Sequence, residues 1–423
     1  MTAELVAGGA PARAGLRKVF AGNVAARLAA LLALAVGTVL VARVGGPDLV
    51  GGFTLLRVLP GLAGVLAAAG LPGAVPFFLS AQGDNPALRS TLVTLTGLGA
   101  LVGCLGWLVF APLLHATFFQ TWWVGITFGC AGAVFSQLFV AVGKAMLQGI
   151  GDFRGANVAI VAEEVSYLPV YLALIAFGRG MGPVLIALIL ADLLVAIGIA
   201  ERLRRREFFR GWARPDAKLA RSICSYGSRG QLGGVMSLIN LRLDVAVLGA
   251  MAGPAVLGVY AIASKYAELL RLPGLAVTYV LYPVFSRHSR QAVTQRTKSL
   301  LLPALGLTAG AAIPLAAGAG IILPALYGKS FDGAIGPTWI LLAGLLGEGV
   351  TGLITAYLYG IGRPGLNSLA IGIAVLVTVV GDLLLIRPFG VTGAAVASAA
   401  AYLATTATLL ILFRHQLRPR EES

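Results

Sequence analysis

Runs of about 20 apolar residues recur from one end of the chain to the other, each long enough to cross a ~30 Å hydrocarbon core as a helix. Hydrophobic residues make up 58% of the sequence and charged residues 12%, which excludes an ordinary soluble domain. Lipid offers no hydrogen bonds, so a segment of this length must satisfy its own backbone, and a helix does so. The runs predict an all-α polytopic membrane protein with twelve transmembrane helices, at 19–42, 50–78, 90–114, 122–143, 156–177, 182–200, 223–249, 255–284, 299–325, 336–359, 366–386 and 391–413. The first follows Arg13, Arg17 and Lys18 in the manner of a signal peptide. It is too long for one and carries Arg27, so it is expected to stay uncleaved.

Basic residues orient these spans. With the N-terminus inside, 22 of the 32 lysines and arginines fall in or beside cytoplasmic segments. Four (Arg43, Arg179, Lys329 and Arg387) fall outside, and six (Arg27, Arg57, Arg229, Arg242, Lys265 and Arg271) lie within spans. The asymmetry predicts that both termini are cytoplasmic. The net charge of +15 then reports topology and calls for no nucleic-acid partner. The most basic stretch, 201–221, reads as a cytoplasmic anchor and linker whose arginines and aromatics suit anionic lipid headgroups.

Internal repeats divide the chain in two. "GPDLVGGF" (46–53) and "GPAVLGVY" (253–260) share a pattern 207 positions apart, and "PFF" (76–78) aligns with "PVF" (283–285) at the same offset. "AMLQGIG" (145–151) matches "AYLYGIG" (356–362) at an offset of 211. The expected lobes are 1–200 and 222–423, joined by the linker 201–221. Six spans per lobe is an even number, so both lobes enter the membrane in the same direction. That relates them by a pseudo-twofold axis along the membrane normal. Pro60, Pro72 and Pro76 in span two, and Pro273 and Pro283 in span eight, predict kinks or breaks.

A charge at the bilayer centre costs ~2.5–3.5 kcal/mol on insertion scales, so intramembrane charges should face protein or water. Spans one, two, seven and eight carry six cations against two acids, Asp244 and Glu268. Asn23 and Arg27 share a face of span one, and Lys265 and Glu268 are spaced to pair on span eight. Asp244 shares a face with Asn240 and is expected to find a cation on another helix. The cationic surplus suits a polyanionic ligand. The remaining intramembrane acids are Glu163, Glu164, Asp192, Glu348 and Asp382. Glu163 and Glu164 point ~100° apart, so at most one faces a shared cavity, and either reads as a proton or sodium coupling site or as a protonated or paired structural acid. Cys104, Cys130 and Cys224 match no disulfide or metal spacing, and His115, His288 and His415 assemble no catalytic cluster. No phosphate loop or dinucleotide fingerprint occurs. The reading is therefore no enzyme, no metal site and no cofactor beyond a coupling ion.

Three stretches carry a family resemblance: "SRGQLGGVMSLINLRLDVAVLG" (228–249), "VLGVYAIASKYAELLRLPGLAVTYVLYPVFSR" (256–287) and "LLLIRPFGVTGAAVASAAAYL" (383–403). With "GNVAARL" (22–28) they resemble the Wzx-type polysaccharide or O-antigen flippases of the multidrug/oligosaccharidyl-lipid/polysaccharide (MOP) exporter superfamily. The resemblance implies two six-helix lobes in a V, with spans one, two, seven and eight lining a cavity. It implies transport of an undecaprenyl-pyrophosphate-linked oligosaccharide from the cytoplasmic to the periplasmic leaflet of a bacterial inner membrane, by alternating access. Arg27, Arg57, Arg242 and Lys265 would receive the pyrophosphate and acidic sugars, supported by Asn23, Asn240, Asp244 and Glu268. Membrane lipids and the polymerase and glycosyltransferase machinery of polysaccharide assembly would be the partners. The alternatives are a multidrug or organic-cation antiporter of the same superfamily, or a membrane enzyme or scaffold of polysaccharide assembly.

Overall fold

A computed structural model describes the backbone of residues 10–82, 85–285 and 289–417. Within these, side chains are described except at 10–21, 82, 229–241, 276, 279–280, 282–284 and 417. The described residues fold into helices with no strand. Twelve rods follow in chain order: α1 (10–45), α2 (47–82), α3 (Pro86–Leu114), α4 (Val124–Gly149), α5 (Phe153–Ile175) and α6 (Met181–Arg205), then α7 (Ala217–Ala252), α8 (254–285), α9 (Arg290–Tyr327), α10 (335–360), α11 (364–389) and α12 (391–417). Their order is that of the twelve expected spans.

Gly46 separates α1 from α2 with φ 64°, and Gly253 separates α7 from α8 with φ 82°. Both take the left-handed conformation that a Cβ disfavours. These are the equivalent glycines of the two GP repeats, and the segments that follow them pack reciprocally. A Cβ on Gly51 would lie 1.8 Å from the Pro254 carbonyl oxygen, and one on Gly258 would lie 1.9 Å from that of Pro47. The GP-x-x-x-G spacing thus places a bare backbone against its own repeat.

The rods form two compact units. The first comprises residues up to Val41 and Leu56–Val235; the second comprises Ala42–Leu55 and the chain from Met236 onward. The turn between α1 and α2 thus groups with the second half, and the start of α7 with the first. That grouping follows from packing: Gly51 touches Pro254, while Gly227 of α7 closes on Gly70 of α2 and Tyr226 stacks on Phe77 at 4.5 Å.

Two breaks fall just ahead of prolines. Ala69 and Gly70 both have positive φ before Pro72, and a 3-10 turn at Glu268–Leu270 precedes Pro273. Proline lacks the N–H and its ring collides with the carbonyl four residues back. Pro76, by contrast, lies inside the continuous helix Leu71–Gln82.

Phe78, Leu92, Met146 and Leu147 fill the interior of the first unit, and Phe285, Leu353, Tyr357 and Phe413 that of the second. Outward faces are equally apolar: Val109 is 74% exposed and Phe177 86%. In water such surfaces would drive association; on helices of this length they face lipid.

Candidate functional site

The first unit concentrates its intramembrane charge around one pocket. Arg57 reaches from α2 to Glu164 on α5, with Nη2 2.5 Å from Oε1. Lys144 on α4 pairs with Glu163, the adjacent residue of α5. The two glutamates diverge around the helix, so each meets a different rod. Asp192 on α6 is buried and accepts a hydrogen bond from Ser136 at 3.0 Å. Arg57, Gln137, Glu163, Tyr167 and Asp192 line a cavity of about 210 Å³. In low dielectric such pairs fix one another's geometry, and removing either partner strands a charge.

The second unit holds two of its acids, Asp244 and Asp382, outside salt bridges among the described residues. Asp244 on α7 is buried and receives the Tyr260 hydroxyl at 2.5 Å and the Val245 amide at 2.8 Å. Tyr260 is in turn 2.9 Å from the Ser398 hydroxyl of α12. Sequence reasoning gave Asp244 a cation on another helix; its described hydrogen-bond donors are a phenol and an amide. Asp382 on α11 is 0% exposed, and neither carboxylate oxygen has a hydrogen-bond partner among the described residues. Arg271 and Glu348 form a looser pair at 3.4 Å, with the guanidinium 5.2 Å from the Tyr402 ring centroid. Asp244, Arg271, Glu348, Asn367, Thr378 and Tyr402 are among the residues lining a cavity of about 330 Å³.

The sequence-predicted substrate residues separate into two kinds. Arg27 on α1 is exposed and donates from Nε to Asn23 Oδ1 at 3.0 Å, the expected i,i+4 contact. Arg242 on α7 is half-buried. Neither has an ion-pair partner among the described residues. Arg57 is committed to Glu164, and Lys265 Nζ lies 5.7 Å from the Phe53 ring centroid, a cation–π distance. Glu268 sits half-buried in the 3-10 turn of α8. The side chains of Asn240 and Arg229 lie outside the described residues.

Sequence reasoning missed several members of these clusters. Lys144 was counted at the cytoplasmic edge because span four was expected to end at 143, whereas α4 continues to Gly149. A polar residue one step beyond an apolar run belongs with the span when the helix signal continues. Ser136, Tyr260 and Ser398 carry no charge, and their roles are set by tertiary partners. Asp382 was visible as an intramembrane acid, but its lack of donors is a property of packing.

Comparison with known proteins fits this geometry. The chain is 24% identical over 391 residues to the probable low-salt glycan biosynthesis flippase Agl15 of Haloferax volcanii, covering 90% of this chain and 79% of that protein. Among solved structures it is similar to the lipid II flippase MurJ in an inward closed conformation (TM-score 0.77, 16% identity, 94% of this chain and 87% of that chain). It is also similar to an inward-facing multidrug resistance MATE family transporter of the MOP superfamily (TM-score 0.72, 17% identity, 93% of this chain and 97% of that chain). The pattern of the polysaccharide biosynthesis protein family matches residues 40–335. The chain is a multi-pass membrane protein with the MOP transporter fold and belongs to the polysaccharide biosynthesis protein family.

Proposed function

We propose that the protein is a flippase that moves an undecaprenyl-pyrophosphate-linked oligosaccharide from the cytoplasmic to the periplasmic leaflet of the inner membrane, with both termini cytoplasmic. The observation that carries this reading is the pair of arginines without a salt bridge among the described residues, Arg27 and Arg242. An intramembrane cation outside a salt bridge is free to meet an anionic cargo, and a guanidinium fork binds phosphate oxygens bidentately. An organic-cation antiporter would want acids lining its cavity, against the surplus of six cations over two acids on spans one, two, seven and eight. The flippase named among the relatives supports the same class of cargo.

Coupling to a proton or sodium ion is part of the proposal. Glu163 and Glu164, the acids the sequence singled out for this role, are engaged by Lys144 and Arg57. Asp382 has the stronger demand, because a buried carboxylate without donors among the described residues needs a proton or a cation.

Proteoliposomes carrying a fluorescent pyrophosphate-linked oligosaccharide test the reading. Substrate should cross the bilayer only with protein present, while a lipophilic organic cation should not be moved. Export of the cation without glycan movement would overturn it. Orientation is tested by a cysteine at Arg210 in a cysteine-free background, which should be labelled from the cytoplasmic side only.

A further inference from the structure

The first unit holds a second cavity, a groove of about 360 Å³ between α5 and α6 that shares no lining residue with the Arg57 pocket. Gly155, Ala159 and Ala162 form one wall; Leu194, Gly198 and Arg202 form the other. Each set recurs every three or four residues and so occupies a single helix face. Gly155, Ala159 and Ala162 on one wall and Gly198 on the other leave a channel, rimmed by Val158 (62% exposed) and Leu194 (55% exposed). A Cβ on Gly198 would meet nothing within 4 Å, so the groove is open there. From Gly155 to Ser166 the α5 wall runs about 16 Å at 1.5 Å per residue. That is close to one leaflet's share of a ~30 Å hydrocarbon core.

Charge gathers at one end only. Arg202 donates from Nε and Nη2 to the Asp152 carboxylate at 2.6 and 2.9 Å, and Arg206 lies 3.6 Å from the same group. Arg204 and Arg205 share Glu201 at 2.7 and 2.8 Å. A Cβ on Gly155 would fall 2.3 Å from Arg202 Nε, so the missing side chain is what lets this guanidinium lie across the start of α5. Arg154 is exposed in the first turn of α5. Arginines thus outnumber carboxylates at the mouth, and the Arg205 side chain remains 76% exposed.

We propose that this groove binds one anionic phospholipid from the leaflet on its arginine-rich side. One acyl chain lies between α5 and α6, and the phosphate rests on Arg205 and the outer N–H groups of Arg202. Length selects this occupant: the groove spans one leaflet, and a polyprenyl chain long enough to cross the bilayer would outrun it. Charge selects the headgroup. The inference does not depend on the flippase reading.

Native mass spectrometry of the purified full-length protein, given phosphatidylglycerol and phosphatidylcholine with identical acyl chains in equal amounts, tests it. Wild type should retain one phosphatidylglycerol in preference to phosphatidylcholine. Gly198→Phe fills the gap in the α6 wall and should abolish that retention, while Gly198→Ala should keep it. Arg205→Gln, on an exposed side chain, should lower retention about tenfold, the loss of one charge-assisted hydrogen bond. Equal retention by wild type and Gly198→Phe would overturn the proposal, as would indifference between the two lipids. Displacement of phosphatidylglycerol by an equimolar polyprenyl pyrophosphate would also overturn it, assigning the groove to the transported lipid instead.

Discussion

In the first unit Glu164 meets Arg57 and Glu163 meets Lys144, so these intramembrane acids are neutralised from within. In the second unit Asp244 is held by the Tyr260 hydroxyl and Asp382 by no donor among the described residues. Both arrangements keep carboxylates away from lipid, but they answer different demands. An internal ion pair carries its own counter-charge and resists change, because losing either partner strands the other. A carboxylate without a cation must draw a proton or a metal ion from solution. In our proposal the two glutamate pairs of the first unit act as a fixed scaffold and Asp382 of the second as the ion-responsive centre. Asp192 in the first unit and the Arg271–Glu348 pair in the second show that each unit also contains the other arrangement.

The largest effect is expected from breaking the scaffold. Arg57→Ala leaves Glu164 without its cation and should destabilise the purified protein by about 3–5 kcal/mol in denaturant titration. The double variant Arg57→Gln with Glu164→Gln should recover most of that loss. A single-variant loss within experimental error would erase the contrast between the units.

The next effect concerns the second unit. Added sodium, or added protons, should stabilise wild type by up to about 2.7 kcal/mol at a ligand concentration 100 times Kd. Asp382→Asn should lose this gain and the ion dependence of flipping. Glu164→Gln should keep the dependence, at a lower overall stability. Loss of ion dependence in Glu164→Gln but not in Asp382→Asn would reverse the assignment.

A smaller effect lies at the membrane boundary of the first unit, where Arg202 hydrogen-bonds the Asp152 carboxylate and holds its pKa down to about 2 from an ordinary value of 3.8. A depressed carboxylate pKa stabilises the fold above the unfolded value, and that contribution disappears as pH falls through the folded value. Stability should therefore be level above pH 4 and decline between about pH 4 and pH 2, by about 1–2 kcal/mol after allowing for solvent screening at the partly exposed Arg202. Asp152→Asn should flatten that decline. Smallest of all, Arg210→Ala removes an exposed i,i+3 pair with Glu207 and should change stability by less than about 0.5 kcal/mol.

The rods were legible because a span must be both long and apolar, and each of the twelve announces itself. The repeat was legible too: the two GP motifs mark Gly46 and Gly253, where both halves turn through the same left-handed conformation. The Asn23–Arg27 contact followed from helical spacing alone. What the sequence withheld depends on which rods touch. Nothing local to Arg57 points to a glutamate 107 residues away, and nothing local to Asp244 prefers Tyr260 to a cation. Unit membership was equally tertiary, since 42–55 joins the second unit through backbone contact at Gly51 and Gly258.

The most direct test of the account uses Arg27 and Arg242, the arginines of α1 and α7 without a salt bridge among the described residues. Purified Arg27→Ala and Arg242→Ala should elute as wild type does on size exclusion. Each should bind and flip a pyrophosphate-linked oligosaccharide about tenfold or more weakly, the loss of a charge-assisted contact. Lysine at either position should retain part of the activity, and glutamate should abolish it. Folded alanine variants that bind and flip at the wild-type rate would contradict the assignment of these arginines to the headgroup.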